Sequence, residues 1–213
     1  MAQTLQTYIT QCQRLLHDAN ANFYSVPELT DYINAGRERL VRDTGCLRTI
    51  QTSATVTQQE VYPYSALPQA LLTIDVLNIN VYWGTTRVPL RYLSWTNFNA
   101  QLRYWQNYTG TPIAFRIYGS SSIYLGPVPD QVYTLEIDTV ILPNPLVNTT
   151  DVDTQIIDPY TSPVAFYACY QAKFKEQSYG ESDIFKHQYI SQARGVLAST
   201  MTRRLPTPYV SPY

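Results

Sequence analysis

At 213 residues with a hydrophobic fraction of 45%, the chain is sized for one domain, or for one core carrying a large insertion, and is too apolar to be a disordered polypeptide. Fifteen lysines and arginines against sixteen aspartates and glutamates leave a net charge of −1, which gives no electrostatic case for a dedicated nucleic-acid binder. Charged residues make up only 15% of the chain, while 19 tyrosines stand against 6 phenylalanines, a composition suited to surfaces that are wet in a free subunit and buried in an assembly.

The three cysteines, Cys12, Cys46 and Cys169, are odd in number and far apart, and none belongs to a CxxC pair. Neither a disulfide framework nor a zinc site is predicted, and a reducing compartment is expected. Met1-Ala2-Gln3-Thr4 lacks the basic and apolar regions of a signal peptide, and apolar runs such as residues 164–170 are too short to span a bilayer. The expectation is a soluble protein, intracellular when made, with no membrane partner.

In chain order, residues 1–48 read as a helix pair. Leu5, Tyr8, Ile9, Cys12, Leu15 and Leu16 recur at three- and four-residue spacing as one apolar stripe, broken at residues 18–22. Ser25-Val26-Pro27-Glu28 then places a capping serine before a first-turn proline, with a glutamate to complete a capping box. Leu29, Tyr32, Ile33, Gly36 and Leu40 share the next stripe, and Gly45 is a predicted stop. Gly36 costs about 1 kcal/mol inside a helix, which points to a close helix–helix approach there.

Residues 49–147 change character to a β-rich insertion. Thr52, Ala54 and Val56 alternate with polar neighbours, and residues 71–81 form a longer strand with Leu72, Ile74, Val76 and Asn78 on one face. Residues 94–104 suggest a short helix opened by Ser94. Residues 116–118 and 123–125 flank a Gly119 turn as a hairpin, residues 126–130 make a proline corner, and residues 133–142 are the last strand.

Residues 148–200 open on a polar linker or exposed loop, 148–153, and continue as a second helix pair. Ser162-Pro163 is the predicted cap of a helix over residues 164–177, with Phe166, Tyr170 and Phe174 on one side and Ala165, Ala168, Cys169 and Ala172 supplying small packing residues. Tyr179-Gly180 reads as a break, after which Ser182 or Asp183 starts a helix with the stripe Phe185, Tyr189, Ala193, Val196 and Leu197. Residues 201–213 hold Pro206, Pro208 and Pro212 and are expected to be an extended arm. The predicted fold class is α+β: a helical bundle from the N- and C-terminal helix pairs, a β-rich insertion between them, and that arm.

Chemistry finds little footing. His17 and His187 sit beside charged or polar neighbours, no G-x-S-x-G, P-loop or G-x-G-x-x-G occurs, and no catalytic residue, cofactor or metal site is predicted. Asp151, Asp153 and Asp158 offer oxygen ligands, but the glycine and terminal glutamate of a calcium loop are missing, so a helix-leading acidic loop is the better reading. The sequons at Asn107 and Asn148 are read as chance matches in a chain without a secretory signal. Arg37, Arg39 and Arg42 crowd the end of the second helix, with Arg48 beyond. They serve either as cations favourably placed at a helix C-terminus or as intersubunit or portal contacts. Arg203, Arg204, Leu205, Tyr209 and Tyr213 read as a docking peptide, with side-chain anchors at intervals along an extended segment.

The order of these elements resembles the head-to-tail adaptor (connector) proteins of tailed bacteriophages, the short-tailed type especially. The resemblance is carried by Thr4-Leu5, Ser25-Val26-Pro27-Glu28-Leu29, Tyr32-Ile33-Asn34-Ala35-Gly36 and Pro112-Ile113-Ala114-Phe115. It continues through Ile123-Tyr124-Leu125-Gly126-Pro127-Val128-Pro129-Asp130 and Tyr133-Thr134-Leu135. It implies a structural, non-enzymatic virion protein at the head–tail junction, made in the host cytoplasm. It also implies a homo-oligomeric ring of about twelve copies, with helical wall and β part facing the nozzle or tube protein below. The arm would reach the portal, and double-stranded DNA would pass through the lumen without sequence recognition. Another tail component, such as a nozzle, tube or baseplate subunit, shares the tyrosine-rich β content and stays open on the residues alone.

Overall fold

The computed structural model describes residues 3–105, 108–119 and 121–201. The described residues divide into a unit formed by those up to Leu47 and from Leu142 onward, and a second unit, Arg48–Ile141.

The first unit is helical. α1 (Leu5–Leu15) is capped by Thr4, whose hydroxyl accepts the Thr7 N–H, and its stripe buries Leu5, Tyr8, Ile9 and Cys12, with Leu16 buried just past its end. α2 (Val26–Thr44) starts at Ser25, whose hydroxyl accepts the Glu28 N–H, carries Pro27 in its first turn and stops at Gly45, where φ is +60°. The serine half of the predicted capping box is present; the Glu28 carboxylate is engaged by the Tyr32 hydroxyl and by Lys175.

α4 (Ser162–Lys175) and α5 (Tyr179–Met201) supply the second helix pair. Two predicted starts shift. Thr161 rather than Ser162 is the N-cap of α4, and it makes no side-chain capping bond. α5 begins at Tyr179, not at Ser182 or Asp183, because the chain reverses at Gln177, which takes φ of +62°, and Gly180 falls in the first turn, where helix hydrogen bonds are not yet closed. α4 packs against α1, α2 and α5. Its small side, Ala165, Ala168, Cys169 and Ala172, is fully buried, while Phe166, Tyr167 and Tyr170 are half-buried. The close approach predicted at Gly36 is present: a Cβ there would lie 3.0 Å from the Val164 carbonyl oxygen and 3.4 Å from the Tyr167 Cβ.

The second unit holds β1 (Arg48–Ala54), β2 (Val61–Pro63), β3 (Thr73–Trp83), β4 (Thr86–Pro89), β5 (Arg91–Tyr92), α3 (Trp95–Trp105), β6 (Ala114–Tyr118), β7 (Ser122–Gly126) and β8 (Thr134–Ile141). They form two four-stranded sheets, ordered β1-β8-β3-β4 and β2-β7-β6-β5, antiparallel except for the β5–β6 pair. Side chains from both sheets share one core, including Tyr62, Val76, Ile79, Val81, Phe115, Leu125, Leu135 and Ile137. The predicted hairpin is β6–β7, turning at Gly119 with φ of +61°.

Two strand readings change. In β3 the strict alternation fails, because register shifts between Thr73 and Asp75 and between Val76 and Asn78 reset the faces, so Val76 joins Ile79 and Val81 in the core. In β1 the period is right but the face is inverted: Thr52, Ala54 and Val56 are exposed, and Gln51 and Thr55 point inward. Those polar side chains are satisfied there. The Gln51 amide donates to Thr73 and Thr139 at 2.8 Å each and accepts the Gln69 N–H at 2.9 Å, and the Thr55 hydroxyl accepts the Tyr133 N–H at 2.7 Å.

Candidate functional site

A heavily bonded polar centre of the helical unit is built on Arg37 and Asp153, which are 1% and 0% exposed. Arg37 sits on the inner face of α2, and its Nε and Nη2 donate to the two Asp153 carboxylate oxygens at 2.8 and 2.9 Å, a bidentate pair. Its Nη1 donates to the Asn144 carbonyl at 2.7 Å and to the Asn34 Oδ1 at 3.3 Å. Asp153 also accepts the Tyr8 hydroxyl at 3.2 Å and the N–H groups of Gln155 and Ile156 at 3.2 and 3.0 Å. Burial first, and then the Asp153 carboxylate, push the Tyr8 hydroxyl far above its ordinary pKa, so it stays a donor. One charge pair thus ties α1, α2 and the segment following Leu142 together.

Within that segment residues 148–153 largely form the exposed loop expected there, but Asp153, at its end, is buried. Asn148, Thr149 and Thr150 are exposed, but the chain on either side is docked: the Leu5 N–H donates to the Asp151 carbonyl at 2.9 Å and the Asp153 N–H to the Gln3 carbonyl at 2.7 Å. Asn34 holds Leu146 from both sides, accepting its N–H and donating to its carbonyl, each at 2.9 Å. The Asp151 carboxylate accepts the N–H groups of Val147 and Asn148. Val147, Val152 and Ile157 are left exposed on a stiffly held loop. An open depression of about 370 Å³ lies here, lined by residues that include Arg37, Leu146 and Gln155.

A second carboxylate shapes the α1–α2 turn. Asp18 accepts the N–H groups of Asn22, Phe23 and Tyr24 at 2.8, 3.0 and 3.0 Å. Burial alone would raise its pKa, but the three backbone donors hold it below the usual carboxylate range. Tyr24 is buried by this turn, and Phe23 is presented to solvent at 79% exposure.

Among the described residues no group of three or more His, Cys, Asp or Glu side chains could hold a metal, and no helix is long and apolar enough to cross a membrane. His17, just past α1 with φ of +56°, and His187 on α5 are both exposed. What the surface offers is aromatic. Rings run along α4 into α5, with Tyr167–Tyr170, Tyr170–Phe174 and Phe174–Tyr179 centroids 5.7, 6.0 and 5.6 Å apart, and Phe174 and Tyr179 are more than half exposed. In the β unit, Trp95 lies 4.6 Å from Tyr118 and 5.2 Å from Tyr124, and Tyr92, Tyr108 and Tyr118 are exposed.

The model of the SU10 adaptor protein family matches residues 3–210. The chain belongs to that family. No curated protein matches it. The adaptor is therefore a structural protein of the bacteriophage head–tail junction, of the short-tailed type, and its family associates with portal and tail proteins.

Of the adaptor's clustered arginines, Arg37 is internal to its own subunit, which leaves Arg39 and Arg42 as the exposed pair. Arg39 pairs with Asp43 at 2.9 Å, and Asp43 also accepts the Tyr189 hydroxyl of α5 at 2.7 Å. Arg48 pairs with Asp138 on the neighbouring strand. Arg203, Arg204, Leu205, Tyr209 and Tyr213 lie outside the described residues. Sequence reasoning missed the roles of Asp153 and Asp18. For Asp18 a signal existed, an aspartate directly after a helical stripe and before a turn, the position where its side chain bonds backbone N–H groups ahead of it. For Asp153 the partner stands 116 residues away, and no local pattern points to it.

Proposed function

We propose that this adaptor assembles as a ring of about twelve copies between the portal and the tail, leaving a lumen through which double-stranded DNA passes without sequence recognition. The family match over residues 3–210 carries the reading. The exposed tyrosines and phenylalanines of both units support it, because wet aromatic surface is what interfaces between subunits bury. Assembly takes place in the host cytoplasm. The helical unit forms the ring wall, with Arg39 and Arg42 at contacts between copies, and the β unit faces the nozzle or tube protein. Arg203, Arg204, Leu205, Tyr209 and Tyr213 dock the arm on the portal. If each arm contributes about 2–3 kcal/mol, a ring of them holds the joint through simultaneous engagement. The role is mechanical and needs no catalysis or cofactor.

The experiment is to mix the purified adaptor with its phage's portal and image the product by electron microscopy. A coaxial ring on the portal is expected; a bare portal beside free adaptor overturns the proposal. Deleting residues 205–213 is expected to abolish attachment while the circular dichroism spectrum is unchanged, and undiminished attachment refutes the arm's role.

A further inference from the structure

Two cysteines face each other inside the helical unit. Cys12 on α1 and Cys169 on α4 are both fully buried. The Cys12 Sγ lies 3.9 Å from the carbonyl oxygen of Ala165, one turn before Cys169, and the Cys169 Sγ lies 3.9 Å from the carbonyl oxygen of Cys12 itself. Each sulfur is therefore seated against the other helix's backbone, beside the other thiol. The neighbouring Cys12 thiol and burial both raise the Cys169 thiol's pKa, so it stays protonated while the two helices are packed. Such an approach depends on the small side of α4, where Ala165, Ala168 and Ala172 let α1 come close. A disulfide needs Cα atoms within about 4.4–6.8 Å, so it requires a close helix crossing of this kind. Cys46, by contrast, is half-buried after Gly45, on neither of the two packed helix faces.

We propose that Cys12 and Cys169 are a latent α1–α4 disulfide, closed by a small-molecule disulfide of the glutathione class. One cysteine thiolate attacks oxidised glutathione, forming a mixed disulfide and expelling one glutathione thiolate. The second cysteine sulfur then attacks the mixed disulfide at the protein sulfur and expels the other. Two cysteine thiols are oxidised, one glutathione disulfide is reduced to two thiols, and these carry away the two protons. Because both sulfurs are buried, the reaction waits on α1 lifting from α4 and is slow. The pair stays reduced in the compartment where the chain is made and closes when the protein meets an oxidising medium. Once closed, the bond staples residues far apart in sequence and restricts the unfolded chain. The inference is independent of the ring.

The test uses the full-length adaptor and oxidised glutathione in native buffer, followed by alkylation, intact mass measurement and peptide mapping. Two of the three thiols should be lost. The mass should fall by two hydrogens with no glutathione retained, and the cross-linked peptides should hold Cys12 and Cys169. The urea midpoint should rise, and a dithiol reductant should reverse the shift. Cys46→Ser should react identically. Glutathione retained on Cys12 or Cys169, a cross-link involving Cys46, or three thiols still open to alkylation would each overturn the proposal.

Discussion

Replacing Asp153 with asparagine removes the anion facing Arg37, a guanidinium that is 1% exposed and makes two of its four hydrogen bonds to that carboxylate. Asparagine keeps one oxygen to accept from Tyr8, Gln155 or Ile156, but its amide nitrogen then meets a donor on Arg37. Breaking a buried pair by removing one partner costs about 3–5 kcal/mol, a large part of the roughly 5–15 kcal/mol by which domains are stable. With a urea m-value of about 2 kcal/mol per molar, the midpoint should fall by roughly 1.5–2.5 M. Arg37→Met should cost a similar amount, since Asp153 is then buried with three neutral donors and no counter-charge. The double variant should be less destabilised than the sum of the two, by about 2 kcal/mol, because it strands neither charge. Urea titrations followed by circular dichroism on all four proteins give the cycle. A midpoint loss under about 0.5 M for Asp153→Asn, or strict additivity, refutes the reading that this pair organises the helical unit.

Other consequences test the remaining contacts. Gly36→Ala gains about 1 kcal/mol of helix propensity, yet its Cβ would sit 3.0 Å from a backbone oxygen of α4, so a net loss of about 1–2 kcal/mol in thermal or urea unfolding is expected; a stabilised protein would disprove the tight crossing. Asp18 has a depressed folded-state pKa, so its contribution is complete above the ordinary value of 3.8 and is lost as pH falls through the folded value. The midpoint difference between the native protein and Asp18→Ala should therefore be constant near neutrality and shrink at acid pH; a gap that widens on acidification contradicts the three-donor account. In the β unit, the Tyr62 hydroxyl accepts the Val56 N–H at 3.0 Å and donates toward the carbonyls of Val56 and Gln59. Tyr62→Phe should cost about 1–2 kcal/mol, and a neutral result would show that this turn is held by other contacts.

Much of the frame was legible in the residues themselves. The stripe of α1, the Ser25-Pro27 start and Gly45 stop of α2, the close approach at Gly36 and the turn at Gly119 all follow from preferences acting within a few positions: helical period, caps and left-handed turns. Local signals misplaced the start of α5, where Gly180 looked like the break and Gln177 is the reversal.

Tertiary structure alone decided which face of β1 turns inward, because the alternation Thr52, Ala54, Val56 fixes a period and not a partner. Gln51 goes inside since Thr73, Thr139 and Gln69 are there to satisfy it. The same holds for the two register shifts in β3 and for the loop around Asp153, whose burial requires a guanidinium delivered from α2. Periodicity is written along the chain, but burying a polar or charged group depends on what arrives from elsewhere to meet it.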